Sequence, residues 1–342
     1  LMKLHLYILS TLLLISSSHT MANKSQDDDE IDLVKQCILN GVLSGDQNKT
    51  IAQLKTQCAE LEAAQKLSAL DKRVAREQIT QKNRNVITPH HRNYILPVSY
   101  ISNPNNRPFS GLRAIDNEQG EPLDNVEVKY QISLKVPVYT GFSDPDQAVY
   151  MGFTLQSFWQ FYNKDISSPF RETNYEPELF WINFLDDENV LWGDEMAVVL
   201  GISHQSNGRS QPNSRSWNRL YANFIWENNG FVFSFKPWYR LPEDEKEDKL
   251  IAKGDDNPDI YKYMGYFEFS GVYRHEQHEF GFMTRNNLNS DNKGAIQLDW
   301  SFPIWGRLRG YAQYFNGYGE SMIDYNAHVQ RFGVGILLTD IL

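Results

Sequence analysis

Cysteine is scarce in this chain. Only Cys37 and Cys58 occur in 342 residues, which excludes a scaffold held together by several disulfides. Long apolar runs are scarce too. After Ala22 no stretch of about 18 apolar residues follows, so no transmembrane helix is available. Nor is there an excess of basic charge: 33 Lys and Arg against 43 Asp and Glu leave −10, which argues against nucleic acid as the main partner. Aromatic side chains, by contrast, make up 13% of the chain and recur in short alternating runs. Exported chains of that kind often form barrels.

Residues 1–22 read as a secretory signal. Lys3 supplies the positive charge, Leu4–Ile15 the apolar core, and Thr20 and Ala22 bracket a cleavage site. The apolar run is short for an uncleaved membrane anchor. Residues 23–93 form an extension, expected in the periplasm, that carries both cysteines. In an oxidising compartment Cys37 and Cys58 are expected to close a disulfide, with two free thiols as the alternative. From Ile51 to about Arg84 the chain is rich in Ala, Leu, Glu, Lys and Gln. That composition predicts a helix, polar on most sides and mobile beyond the cysteines.

From about Tyr94 the periodicity changes to two. In VEVKYQISLKV, Val126, Val128, Tyr130, Ile132, Leu134 and Val136 share one side, while Glu127, Lys129, Gln131, Ser133 and Lys135 share the other. Strict alternation of this length predicts a strand with one apolar and one polar face. Candidate strands fall near 94–102, 126–138, 148–162, 174–184, 195–204, 215–227, 230–240, 261–274, 278–286, 294–302, 307–316 and 327–338. The count is even and many segments are near ten residues long, as a bacterial membrane barrel requires. The expected fold is therefore all-β: a twelve-stranded antiparallel transmembrane barrel over residues 94–342, with a small, mostly helical N-terminal extension. Connections after odd strands are then extracellular, and the long one from Trp238 to Ile260 agrees with that.

The run HQSNGRSQPNSRSWN, residues 204–218, lies between the apolar segments MAVVLGI and LYANFIW. Parity places it. Met196, Val198, Leu200 and Ile202 share a face that His204 and Ser206 continue, and Asn218 shares a face with Leu220, Ala222, Phe224 and Trp226. All three polar residues are thus expected on the lipid-facing side, near the outer boundary, where exposed polar groups are costly. A serine hydroxyl is a poor nucleophile until an imidazole takes its proton. His204 and Ser206 stand two apart on one strand, and Asn218 on the next can orient the ring. Alone, H-x-S is a weak signal, and a hydrated rim of incidental polar groups is the simpler explanation.

The motifs settle more. HQSNGRSQPNSRSWNRLY, SSPFRETNYEP (167–177), KPWYR (236–240), DDNPDIYKYMGY (255–266) and NGYGESMIDYN (316–326) strongly resemble segments of the outer-membrane phospholipase A family, in matching order over residues 94–342. The resemblance implies a barrel in the bacterial outer membrane that hydrolyses acyl esters of phospholipids and lysophospholipids at the sn-1 and sn-2 positions. It also implies activation by calcium and action as a homodimer. By the same resemblance Ser206 is the nucleophile, His204 the general base and Asn218 its orienter, with the Gly208 N–H in the oxyanion hole. Arg209 (through its carbonyl), Ser214 and Ser167 of the partner subunit match calcium ligands, and Asp256 matches the carboxylate of a further calcium site. Oxygen-only ligands suit that ion.

Three positions depart from the family pattern. Gln211 stands where a carboxylate is common, Leu155 where a glutamine bridges subunits within the membrane, and Leu342 where such barrels often end on an aromatic residue. A weaker calcium site and a dimer resting on packing are the expected consequences. The rival expectation is a non-enzymatic barrel, a small channel or structural protein. Against it, the predicted lumen side carries both signs of charge: Glu127, Lys129, Lys135, Asp299 and Arg309, with Gln131, Gln297 and Gln313.

Overall fold

The computed structural model describes residues 86–106, 108, 123–142, 146–185, 195–248, 250–306 and 308–339, with residues 50, 53, 55, 73, 74 and 77 before them. Cys37, Cys58 and the signal segment lie outside the described residues. Every described strand belongs to one compact unit, residues 68–342.

A short strand β1 (Thr88–Pro89) precedes twelve long ones: β2 (Asn93–Ile101), β3 (Val126–Tyr139), β4 (Gln147–Trp159), β5 (Phe170–Leu185), β6 (Glu195–Ser206) and β7 (Ser216–Asn228). They continue as β8 (Phe231–Arg240), β9 (Phe267–His275), β10 (His278–Asn286), β11 (Gly294–Trp305), β12 (Leu308–Tyr318) and β13 (His328–Thr339). Each of β2–β13 pairs antiparallel with its sequence neighbours, and β13 pairs back onto β2 through Phe332↔Tyr100 and Val334↔Val98. The sheet is closed, so it has no edge of unpaired backbone groups for hydrocarbon to leave unsatisfied. The largest difference from the periodicity lies at residues 261–274, the other strands differing by a few residues at their ends. Tyr261–Met264 forms a single helical turn, α1, and the strand begins at Phe267.

The alternation behaves as an inverted protein. Ile132 and Leu134 are exposed, while Glu127, Lys129 and Ser133 of the same strand are fully buried. Lys129 Nζ lies 2.9 Å from Glu320 and donates to Gln313 Oε1 at 2.6 Å. Arg171 joins Glu127 (2.9 Å) and Asp324 (2.6 Å), and Arg331 joins Glu127 (2.8 Å) and Glu320 (2.7 Å). Farther along, Arg92 reaches Glu279 (2.5 Å) and Asp299 (3.1 Å). Buried charges persist only when paired and hydrogen-bonded, and here the pairs join strands that are not neighbours in the sheet.

Arg73, Val74 and Glu77, helical as the composition predicts, sit inside this lumen. Glu77 lies 2.8 Å from Lys135 and 2.8 Å from Arg73, Arg73 donates to the Pro89 carbonyl (3.0 Å), and Val74 packs on Val232 and Val272. These three residues belong with the barrel rather than with a segment loose beside it.

The two ends of the barrel differ. At one, Asn229 and Gly230 link β7 to β8 with φ of 51° and 76°, the left-handed pair of a tight hairpin turn. At the other, residues 160–169, 207–215 and 241–266 make long connections. The polar run belongs to that end.

Candidate active site

The β6–β7 ladder brings the run together. His204 pairs with Asn218 and Ser206 with Ser216, as Leu200 pairs with Ala222 and Ile202 with Leu220. Leu200, Ile202 and Leu220 are exposed, whereas Ala197, Ser203 and Trp217 are buried on the inward side. Parity therefore turns His204, Ser206 and Asn218 out of the barrel. His204 is exposed; Ser206 and Asn218 are half-buried. His204 Nδ1 meets Asn218 Oδ1 at 2.8 Å. An amide oxygen only accepts, so this contact makes Nδ1 the donor and leaves the lone pair on Nε2. Among the described residues no hydrogen bond joins the Ser206 hydroxyl to the imidazole; in an unliganded site such bonds are commonly long.

Beyond Ser206 the chain turns through Asn207, which is buried and organises the loop. Its N–H donates to the Arg215 carbonyl (3.0 Å) and its amide nitrogen to the Asn213 carbonyl (2.9 Å). Its Oδ1 accepts from the N–H groups of Arg215 (2.9 Å) and Arg209 (3.3 Å). Gly208 has φ of +61°, where a side chain is strained, and its added Cβ would stand 3.3 Å from the Tyr175 ring. Tyr175 pairs directly with Ser206 across β5–β6. The ring of this strand partner of Ser206 thus lies beside the Gly208 backbone, a neighbour that sequence spacing could not place.

The proposed metal ligands divide into two groups. The Ser214 hydroxyl donates to Asp256 Oδ2 (2.5 Å), and Gln211 donates to Oδ1 (2.8 Å). Lys246 holds the same carboxylate. Burial works against the charge on Asp256, but Lys246, Ser214 and Gln211 outweigh it and hold the carboxyl below its ordinary range. Arg209 is anchored at its guanidinium by Glu172 (3.0 Å), which fixes the loop. Ser167 stands exposed on the β4–β5 connection with φ of +64°. No contact among the described residues ties it to the Ser214–Asp256 group.

One residue at the site was not foreseen. Glu243, in the connection after β8, accepts from Asn218 Nδ2 at 3.1 Å. Its run, EDEKED, reads in sequence only as a charged loop; the fold alone selects which carboxylate reaches the asparagine. A further group with metal-ligand chemistry is His90, His91 and Glu178, whose ligand atoms lie within 4.8 Å of one another. It faces the lumen, on the other side of the wall from Ser206, and Lys236 already stands 3.7 Å from the Glu178 carboxylate.

Comparison with known proteins supplies the family. A family model described as phospholipase A1 matches residues 70–338. Phospholipase A1 of Escherichia coli (strain K12) is 42% identical over 215 residues, 63% of this chain and 70% of that protein. Phospholipase A1 of Klebsiella pneumoniae is 38% identical over 256 residues, 75% of this chain and 83% of that one. Outer membrane phospholipase A from Escherichia coli superposes with a TM-score of 0.66 at 37% identity, covering 75% of this chain and 100% of the other. The calcium-bound dimer of Salmonella typhi outer membrane phospholipase gives 0.67 at 36% identity, covering 78% and 98%. With a closed barrel and an outward histidine–asparagine pair beside a serine, the chain belongs to the phospholipase A1 family, carboxylic ester hydrolases on an outer-membrane β-barrel.

Proposed function

We propose that this protein hydrolyses phospholipid acyl esters at the outer surface of its barrel wall, with Ser206, His204 and Asn218 as the catalytic group and calcium as activator. The observation that carries the reading is the 2.8 Å contact of His204 with Asn218 on the exposed face, two residues from Ser206. Polar groups among outward leucines and isoleucines are poorly placed for stability and well placed for a substrate that is the membrane itself.

In this reading Ser206 Oγ attacks the ester carbonyl as its proton passes to His204 Nε2. The tetrahedral intermediate collapses, the C–O bond to the glycerol oxygen breaks, and His204 returns the proton to that leaving oxygen. Water, deprotonated by the same imidazole, then releases the fatty acid and restores Ser206. Asn218 holds the tautomer throughout. The Gly208 N–H, presented by the left-handed backbone at φ +61°, points to the developing oxyanion.

The Arg209 carbonyl, the Ser214 hydroxyl and Ser167 of the partner subunit offer oxygen only and suit a hard cation, and the Asp256 carboxylate would serve the further calcium site. A bound calcium ion would supply positive charge near the oxyanion, which the neutral Asn218 does not. Ser167, untied to that group within one copy, is the residue that makes a homodimer the natural holder. The residues of the extension that precede the barrel unit, 23–67, would then belong to the periplasm. Fatty-acid release from phospholipid micelles tests the reading. Activity with calcium, its loss in chelator and its absence in Ser206→Ala are expected; chelator-resistant or Ser206-independent release overturns it. The channel reading is disfavoured by the lumen, where Arg171, Glu127, Arg331 and Glu320 form one cross-linked network.

A further inference from the structure

The catalytic group proposed above ends on a neutral residue, but its chain of hydrogen bonds does not. Asn218 Oδ1 meets His204 Nδ1 at 2.8 Å, and the other end of the same amide, Nδ2, donates to Glu243 Oε1 at 3.1 Å. Glu243 is half-buried, on a connection secured to the barrel on both sides. The Leu241 N–H donates to the Asn218 carbonyl (2.8 Å), and Arg240 grips Asp255 at 2.6 Å through two oxygens. The Asp255 N–H returns to the Asp244 carbonyl (2.8 Å), closing the loop around Glu243.

We infer that Glu243 is a positioning residue of this enzyme, a fourth member of the relay Ser206–His204–Asn218–Glu243. The inference rests on the reading of Ser206, His204 and Asn218 given above and deepens it. Two physical effects carry it. The first is orientational. An asparagine amide fits its space either way round, and facing the imidazole with its NH₂ would make His204 Nδ1 an acceptor and put the ring proton on Nε2, where it blocks the base. A carboxylate has no proton to give, so it accepts only from the NH₂ end. That choice aims Oδ1 at His204 and leaves the Nε2 lone pair for Ser206. The second is electrostatic. The imidazolium that forms as Ser206 loses its proton gains no charge stabilisation from an amide alone. A carboxylate joined through that amide polarises it and favours the positive ring.

The charged groups that face Glu243 are Asp255, Arg240 and Asp256. Burial, followed by the charge of Asp255, pushes its carboxyl above the ordinary value, against the hydrogen bond from Asn218 and the charge of Arg240. The assays below are therefore run at pH 8, well above the carboxylate range.

A merely structural role, tethering the loop, is separated from the relay by four measurements on the full-length protein with calcium. Glu243→Ala should lower kcat by about tenfold with little change in KM. Glu243→Gln, which keeps an acceptor but loses the charge, should cost less and should move the acid limb of the kcat/KM profile to lower pH. In the Asn218→Ala background Glu243→Ala should cost nothing further, because the relay is already cut. Finally, Asn218→Asp brings two carboxylates against each other, and adding Glu243→Gln should restore activity above that single variant. Glu247→Ala, on the same loop and exposed, serves as the control and should match the wild type. The inference is overturned if Glu243→Ala is as active as wild type, or if it costs as much in the Asn218→Ala background as in the native one. Ser206→Ala decides the underlying reading separately: an active Ser206→Ala enzyme removes the whole catalytic group, whereas an inactive one with indifferent Glu243 removes only the fourth member.

Discussion

Two histidines on opposite faces of the same wall make a useful pair. His90 lies in the lumen, its Nε2 3.0 Å from Glu178 and its ring stacked on Phe180 at 4.9 Å. Gly152 makes that position available, since a Cβ there would come within 3.1 Å of the ring. By the usual description of a catalytic dyad, a histidine on a buried carboxylate, this is the better candidate. Yet it lies inside the barrel, with His91 tilted against its ring at 4.0 Å and Lys236 taking part of the charge of Glu178. His204 has the weaker partner, an asparagine, but it is exposed and a serine follows two residues on. Access to substrate and a neighbouring nucleophile, not the strength of the histidine's partner, distinguish the site from the brace.

The largest expected effect tests that distinction directly. Ser206→Ala should lower fatty-acid release by about a millionfold, as removal of a serine nucleophile does elsewhere. Ser203→Ala, only three residues away but on the buried inward face, should retain wild-type turnover. Equal loss in both variants would mean that the outward face is not where chemistry happens. Next come the histidines themselves. His204→Ala should abolish turnover and leave unfolding in denaturant unchanged. His90→Ala should do the reverse, keeping kcat while costing roughly 1–3 kcal/mol of stability, the penalty for removing one hydrogen bond of a buried carboxylate. A catalytically dead His90→Ala that unfolds normally would erase the contrast.

Calcium gives a smaller, graded effect. Asp256 stands beside Ser214 and Gln211 but is also held by Lys246, so an incoming cation must displace that ammonium. Asp256→Asn should raise the calcium needed for half-maximal activity by about tenfold, roughly 1.4 kcal/mol of binding. Lys246→Gln should lower it. Shifts of the same sign in both variants would show that the carboxylate does not hold the ion.

The barrel was legible because period-two alternation fixes faces as well as strands. VEVKYQISLKV already separates exposed Ile132 and Leu134 from buried Lys129 and Lys135. The same parity, with the directly paired His204 and Asn218, placed the polar run on the outside. Illegible were contacts that depend on how loops fold back. Glu243 is one of several acidic residues in its run, and Tyr175 reaches Gly208 only because β5 lies beside β6. The lumen place of Glu77 was hidden for another reason. A helix polar on most sides reads as solvated, and a charged lumen presents such a helix with a solvent-like surface, Lys135 included.

The smallest effect concerns the outward surface away from the site. The outward row that holds Ser206 continues through Tyr175 to Leu155, each residue paired with the next across β6, β5 and β4. Leu155 is half-buried within one copy, and a second copy placing Ser167 against the calcium site would approach along β4, which leads into that connection. A leucine contributes packing to such an interface but no hydrogen bond. Leu155→Gln should therefore strengthen dimerisation, though only slightly: hydrogen bonds between membrane segments have averaged about 0.6 kcal/mol, close to a threefold change in the association constant. Calcium, if held jointly by two copies, must favour the dimer and be favoured by it by one and the same factor. The variant should then raise apparent calcium affinity by no more than it tightens the dimer. Sedimentation in detergent at a series of calcium concentrations measures both quantities on one sample. A Leu155→Gln protein that dimerises more tightly without any gain in calcium affinity would place the ion within a single subunit.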